Sequence, residues 1–173
     1  MSTRVYTITA IVGVLLLALG LYASRDIFTP EAPPAETSEP LLTYTDEHVT
    51  FEYPETLSTT YIRAIDWPPK VTVTDSAISC EAGETEIGMT KQIDINGRTY
   101  CVTTRSEGAA GSMYTDYTYV TEKDGKTLTL TFTLRLVQCA NYNEPDRSLC
   151  TAEREGFSVD DVAARVLQSA EVK

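Results

Sequence analysis

Few side chains in this sequence are typed and spaced for chemistry, and each can be held against what its chemistry requires. Glu107–Met113, EGAAGSM, has the small-residue texture of a phosphate cradle or a nucleophile turn. A phosphate cradle needs a helix N-terminus directly after the glycines and a lysine close by. Here the alternating tyrosines of YTDYTYV announce a strand instead. A nucleophile elbow needs Gly-x-Ser-x-Gly, whereas Ser112 is followed by Met113 and Tyr114. The segment is expected to be a plain flexible connection; the alternative is a contact loop whose exposed glycines permit a partner's backbone to approach closely, at Gly108, Gly111 and Ser112. His48 is the single histidine. Triad catalysis needs a nucleophile and an orienting carboxylate within hydrogen-bond reach, and nothing around TDEH clusters them, so an exposed imidazole with no catalytic role is expected.

Carboxylates are the other source of reactivity. Glu81, Glu84 and Glu86 in CEAGETE are hard oxygen ligands of the kind calcium takes. They lack the dense Asp/Asn spacing and turn glycine of an EF-hand, so a solvated loop is expected, with no metal site and no cofactor. Glycoside hydrolysis uses two carboxylates a few ångströms apart; with 25 acidic residues the sequence singles out no pair. Tyrosine and arginine are enriched at recognition surfaces, and strand register (below) sets Tyr114 beside Arg135. Gly108, Gly111, Ser112, Tyr114 and Arg135 are therefore the candidate partner contacts.

The four cysteines, Cys80, Cys101, Cys139 and Cys150, suit two disulfides in an oxidising compartment. A four-cysteine zinc site is the competing reading, but structural zinc uses cysteine pairs two to four residues apart, and none occurs. Of the three pairings, Cys80–Cys101 and Cys139–Cys150 are favoured because both close short segments. The second would close CANYNEPDRSLC, read as a polar loop with little core of its own.

An exported domain needs a route out of the cell. Residues 5–23, VYTITAIVGVLLLALGLYA, carry no charge and as a helix would span roughly 28 Å, close to the ~30 Å of a bilayer's hydrocarbon. Arg4 precedes the run and Asp26 offsets Arg25 after it, which orients the N-terminus to the cytoplasm. The expected organisation is a cytoplasmic stub at 1–4, a transmembrane anchor at 5–23, a linker at 24–40 and an extracytoplasmic domain at 41–173. The alternative is a secretory signal cut after Gly20. Pro30, Pro33, Pro34 and Pro40 make the linker an extended spacer. Outside 1–40, 12 basic residues face 21 acidic ones, a net of −9. Such a surface repels phosphate backbones, so nucleic acid is not an expected partner.

Positioning these residues requires a sheet. Asp124-Gly125 suits a two-residue turn, whose central positions both take φ > 0. With Lys123 opposite Lys126, counting sets Tyr119 against Leu130, Tyr117 against Phe132, Thr115 against Leu134 and Met113 against Leu136 on one largely apolar face. Thr118–Thr131, Asp116–Thr133 and Tyr114–Arg135 fall on the other. Asn96-Gly97 makes a second hairpin with Ile93 opposite Tyr100. The four strands are expected near 91–95, 98–105, 113–121 and 127–138, preceded by strand-like HVTFEYP, TTYIRAI and a stretch after Pro68-Pro69. At the C-terminus, Ser158 suits a helix N-cap, Asp160 and Asp161 suit its positive start, and Phe157 can staple onto Val162. Val159, Val162, Ala163, Val166 and Ala170 then form an apolar stripe. The fold expected is α+β: an antiparallel sheet of about five to seven strands, centred on a four-strand meander and packed by a C-terminal helix.

Phe51, Tyr53 and Pro54 in FEYP, with Val166, Leu167 and Ser169 in VLQSAEV, resemble the edges of PsbP-like domains. INGRTYC and EGAAGS resemble segments of uncharacterised membrane-anchored bacterial envelope proteins. The resemblance implies an α+β sandwich that binds or supports other proteins and carries no catalytic residues. Function is therefore expected to be that of a tethered binding or structural module with an envelope protein as partner. The alternatives are an envelope hydrolase using paired carboxylates and a small-ligand-binding domain.

Overall fold

A computed structural model describes residues 40–173. The expected stub at 1–4, the anchor at 5–23 and all of the linker but Pro40 lie outside the described residues. Among the described residues no helix is long and apolar enough to cross a membrane.

Three two-residue turns build the centre of the fold. Asn96-Gly97, Ala110-Gly111 and Asp124-Gly125 all place both residues at positive φ, the geometry whose twist matches that of paired strands. They join β6 (Gly88–Ile95), β7 (Arg98–Ala109), β8 (Ser112–Lys123) and β9 (Lys126–Val137) into an antiparallel meander. The register between β8 and β9 is the one that counting from Asp124-Gly125 gives, from Lys123 opposite Lys126 to Met113 opposite Leu136, and Ile93 lies opposite Tyr100. The outer edge of β9 is shared by two short strands, β3 (Ile62–Ala64) and β4 (Lys70–Thr74), and β5 (Gly83–Thr85) borders β6 at the far edge, completing seven strands.

A smaller sheet packs against this one. β1 (Leu41–Thr45) pairs with β2 (Val49–Pro54), and β2 with β10 (Glu171–Val172). Helix α1 (Asp146–Gly156) follows a 3-10 turn at Cys139–Asn141, and helix α2 (Val159–Ser169) precedes β10. The core holds Val49 and Phe51 of β2, Tyr100 and Val102 of β7, Tyr119 of β8, Leu128, Leu130, Phe132 and Leu134 of β9, and Ala163, Ala164, Val166 and Leu167 of α2. Each large apolar side chain so enclosed contributes about 1.5–3 kcal/mol by leaving water. Ser158 caps α2 by accepting a hydrogen bond from the Asp161 amide at 3.2 Å. The Ser169 hydroxyl accepts one from the Glu52 amide at 2.9 Å, so the FEYP and VLQS segments lie side by side.

Four expectations need correction. EGAAGS is no flexible loop: β7 runs through Glu107 to Ala109 and turns within Ala110-Gly111, where the paired strands hold an alanine in the left-handed position that asparagine and aspartate fill in the sister turns. CEAGETE is only partly loop, since Gly83–Thr85 pairs with Gly88–Thr90. The Cys139–Cys150 segment is a 3-10 turn and the first half of α1, with Cys150 fully buried. The buried stripe of α2 is turned toward Ala164 and Leu167, leaving Val159 and Val162 half-buried. Among the described residues the strands number ten in two sheets, and two helices pack the fold.

Candidate functional site on the outer face of the large sheet

One face of the large sheet meets the core, and the other carries most of the polar side chains. Register places Thr90, Thr103, Thr118 and Thr131 in a row across β6 to β9, ending at Lys70 of β4. The hydroxyls of Thr90 and Thr103 lie 2.9 Å apart in a hydrogen bond. The next row holds Arg105, Asp116 and Thr133, and the one after it Glu107, Tyr114, Arg135 and Arg63. Threonine is β-branched and tolerates a half-buried pleated surface, so this face stays a sheet while presenting hydrogen-bonding groups.

Two groupings stand out. The Thr133 hydroxyl lies 2.7 Å from Asp116 Oδ1 and 3.3 Å from Asp66 Oδ2. It can donate to only one at a time, so the two carboxylates share a single donor. They border a shallow depression of about 390 Å³ with Lys70, Thr118 and Thr131. Beside it, Arg135 donates from Nε to the Ser112 hydroxyl at 3.0 Å. This bond fixes the guanidinium while leaving its outer fork open, the geometry that grips a carboxylate in two places. Arg63 lies directly across the ladder from Arg135. Among the described residues only Lys126–Asp75 and His48–Glu47 come within ion-pair distance, so these two like charges face each other with no carboxylate between them. Like charges directly opposite on a sheet are unfavourable.

The five candidate contacts are divided by the fold. Tyr114 and Arg135 do stand opposite each other on this face. Ser112 is 1% exposed and already holds Arg135, so it supports that guanidinium from beneath. Gly108, opposite Met113, alternates with Glu107 onto the core side of the sheet. Gly111 is packed by the connection to α1, accepting hydrogen bonds at its carbonyl from the Gln138 amide and from Asn141 Nδ2. Arg63, Asp66, Lys70, Arg105 and Asp116 join the face without having been singled out. The alternation of β8 and β9 marked Asp116 as outward; Arg63, Asp66 and Lys70 come from short strands and loops whose register has no sequence signal.

Both disulfides brace the region around this face. Cys80–Cys101 has a Cα separation of 5.5 Å, and Cys101 lies on the outer face of β7, so the bridge pins the 75–82 strap across one end of it. Ser76 is held there too, its carbonyl accepting from the Thr127 hydroxyl. Cys139–Cys150, also 5.5 Å between Cα atoms, ties α1 to the end of β9. No cysteine is free. Helix α1 is clamped a second time: the Glu153 carboxylate accepts from the amides of Thr60, Tyr61 and Ile62 at 2.7, 2.6 and 3.1 Å. This clamp sets the chain that enters β3 and hence Arg63.

Protonation is shifted at Asp46, Tyr61, Tyr117 and Tyr119. Burial, then its hydrogen bond to Asp160 at 2.6 Å, pushes the Tyr119 phenol well above the ordinary tyrosine value. The amides of His48 and Val49 hold Asp46 below the ordinary aspartate value. His48 itself is exposed, beside Glu47 at 3.3 Å, and the described residues contain no cluster of three or more potential metal ligands among His, Cys, Asp and Glu.

Comparison with family models, with curated proteins and with solved structures gives no match.

Proposed function

We propose that this chain is a membrane-tethered extracytoplasmic binding module, and that the outer face of its large sheet is the surface that meets an envelope partner. The observation that carries the reading is the facing pair Arg63 and Arg135, the second fixed by Ser112 and both left without a carboxylate within ion-pair distance, in a domain of net charge −9. An acidic segment of a partner would complete both guanidiniums, and Tyr114 beside them supplies contact area at low entropic cost. Two disulfides suit the oxidising side of a membrane. The adjoining FEYP and VLQS segments fit the PsbP-like resemblance, whose members bind or support other proteins.

The test is capture of envelope proteins by the intact anchored chain under gentle crosslinking, with Arg63→Gln/Arg135→Gln in parallel. A partner recovered by the native chain and lost with the double variant is the expected result. Recovery of no partner, or of one indifferent to both arginines, would refute the surface. The second reading, an envelope hydrolase, draws on the Asp66–Asp116 pair at the Thr133 hydroxyl. Turnover of purified wall polymer that disappears in Asp116→Asn would favour it over binding.

A further inference from the structure

Sheet edges are where a β protein is vulnerable, because unpaired amides and carbonyls there accept any passing strand. Four of the five short strands bordering the two sheets carry a charge: Arg63 in β3, Lys70 in β4, Glu84 in β5 and Glu171 in β10. The exception is β1, LLTYT, with neither charge nor proline. All five of its residues are exposed, with Leu41 at 43%, Leu42 at 40% and Tyr44 at 38%. Those three are a large share of the exposed large apolar side chains among the described residues. An edge otherwise guarded by charge is here left sticky.

The hydrogen-bond phase of β1 is fixed. The Glu55 amide donates to the Pro40 carbonyl and the Asp46 amide to the Val49 carbonyl, and these two pairs extend the β1–β2 register at either end. In an antiparallel ladder the bonded pairs alternate. The backbone groups of Leu42 and Tyr44 therefore point into β2, and those of Leu41, Thr43 and Thr45 point away from the sheet. We propose that this edge is a self-association site, at which β1 of two copies of this chain pair antiparallel about a two-fold axis through Thr43.

The strand is complementary to itself in that arrangement. Thr43 exchanges both backbone bonds with its own counterpart, and Leu41 does so with Thr45 of the other copy. Leu42 lands opposite Tyr44 of the other copy on the side where Tyr44 already stacks on Phe51, ring centroids 5.0 Å apart. Charge does not oppose the contact strongly. The nearest carboxylates on the extended ladder, Asp46 of one copy and Glu55 of the other, would sit two strand spacings apart, about 10 Å, just beyond the ~8 Å screening length at physiological salt. A five-residue ladder alone would be weak. The chain outside the described residues supplies the missing concentration, since residues 1–39 enter the domain directly at Pro40 and β1. The two entry points would lie about 21 Å apart, inside the reach of two linkers of about 3 Å per residue. Confinement to one membrane then makes pairing effectively intramolecular. That last step rests on the tether proposed above.

The test uses the full-length chain in liposomes, with a photo-crosslinking phenylalanine analogue in place of Tyr44. The expected product is a covalent dimer whose crosslinked peptide contains Leu42 of the second copy. Thr43→Pro should reduce that dimer at least tenfold while leaving thermal unfolding unchanged, because it removes only an outward-facing amide; Thr43→Lys should act likewise. Membrane-bound copies that give no dimer, a crosslink to residues 1–39 or to lipid, or a dimer that survives Thr43→Pro would each overturn the proposal. Recovery of the chain in the soluble fraction would instead count against the tether.

Discussion

Two buried tyrosines provide an internally controlled measurement of how this core handles polar groups. Tyr100 and Tyr119 are both fully buried, with ring centroids 6.5 Å apart. The Tyr119 hydroxyl donates to Asp160 at 2.6 Å, at the start of α2, whereas the Tyr100 hydroxyl is buried with no hydrogen-bond partner. The same change, tyrosine to phenylalanine, should therefore have opposite signs. A hydrogen bond to a charged group contributes about 1.5–3 kcal/mol net. Asp160 is half-buried and regains water when the phenol leaves, so Tyr119→Phe should cost about 1.5–2 kcal/mol, toward the lower end of that range. An unsatisfied buried hydroxyl costs about 1–3 kcal/mol, so Tyr100→Phe should gain about 1 kcal/mol. For a domain of this size each kcal/mol moves Tm by about 3–5 °C, which separates the two variants by roughly 8–15 °C. Thermal unfolding of both with the disulfides intact gives the answer. A destabilised Tyr100→Phe, or two variants melting together, would show that this accounting of buried hydroxyls is wrong.

Glu153→Ala removes the acceptor of three amides and should cost about 2–4 kcal/mol, read as a lower Tm and as faster hydrogen exchange at residues 60–62. Gly111→Ala should destabilise by about 1–2 kcal/mol, since its φ is +71° and an added Cβ would stand 2.8 Å from Asn141 Nδ2. Ala110→Asn should stabilise by about 0.5–1 kcal/mol, because it restores the residue type used in the sister turn at Asn96; denaturant midpoints check both. Stability should also fall at alkaline pH. The folded protein holds the Tyr119 proton to higher pH than the unfolded chain, which releases it near pH ~10. The contribution is therefore complete below that value and is lost as pH rises above it. Tyr119→Phe should flatten the decline in Tm between pH 9 and 11. Tyr117, shifted the same way first by burial, should leave part of it.

Much of the central meander was legible because its signals are local and repeated. Asn96-Gly97 and Asp124-Gly125 each fix a register by themselves, and once Lys123 faces Lys126 every pair up to Met113–Leu136 follows from counting. The third turn was not read because Ala110 carries none of the usual left-handed preference, and the ladder on either side of it forces the conformation. Helix α2 was found through Ser158 and its apolar spacing, but which residues of the stripe are sealed depended on β2 and on the large sheet. Helix α1 was missed since its exposed polar residues give no stripe; Cys150 and the Glu153 clamp hold it from outside. The candidate site divides in the same way. Tyr114 and Arg135 were paired by register, whereas Arg63 and Asp66 reach that face from segments far earlier in the chain, Asp66 lying 67 residues before the Thr133 it meets.

The sequence by itself determined the hairpins at Asn96-Gly97 and Asp124-Gly125, the alternation of outward threonines with inward tyrosines, and the cap of the last helix. Each of these depends on neighbours a few residues away or on a period of two or 3.6. Only the tertiary structure decided that Ser112 is buried beneath Arg135, that Arg63 and Arg135 face each other, and that β1 is left as an uncharged edge. Those arrangements depend on which strand lies beside which, and no local preference of the chain encodes that.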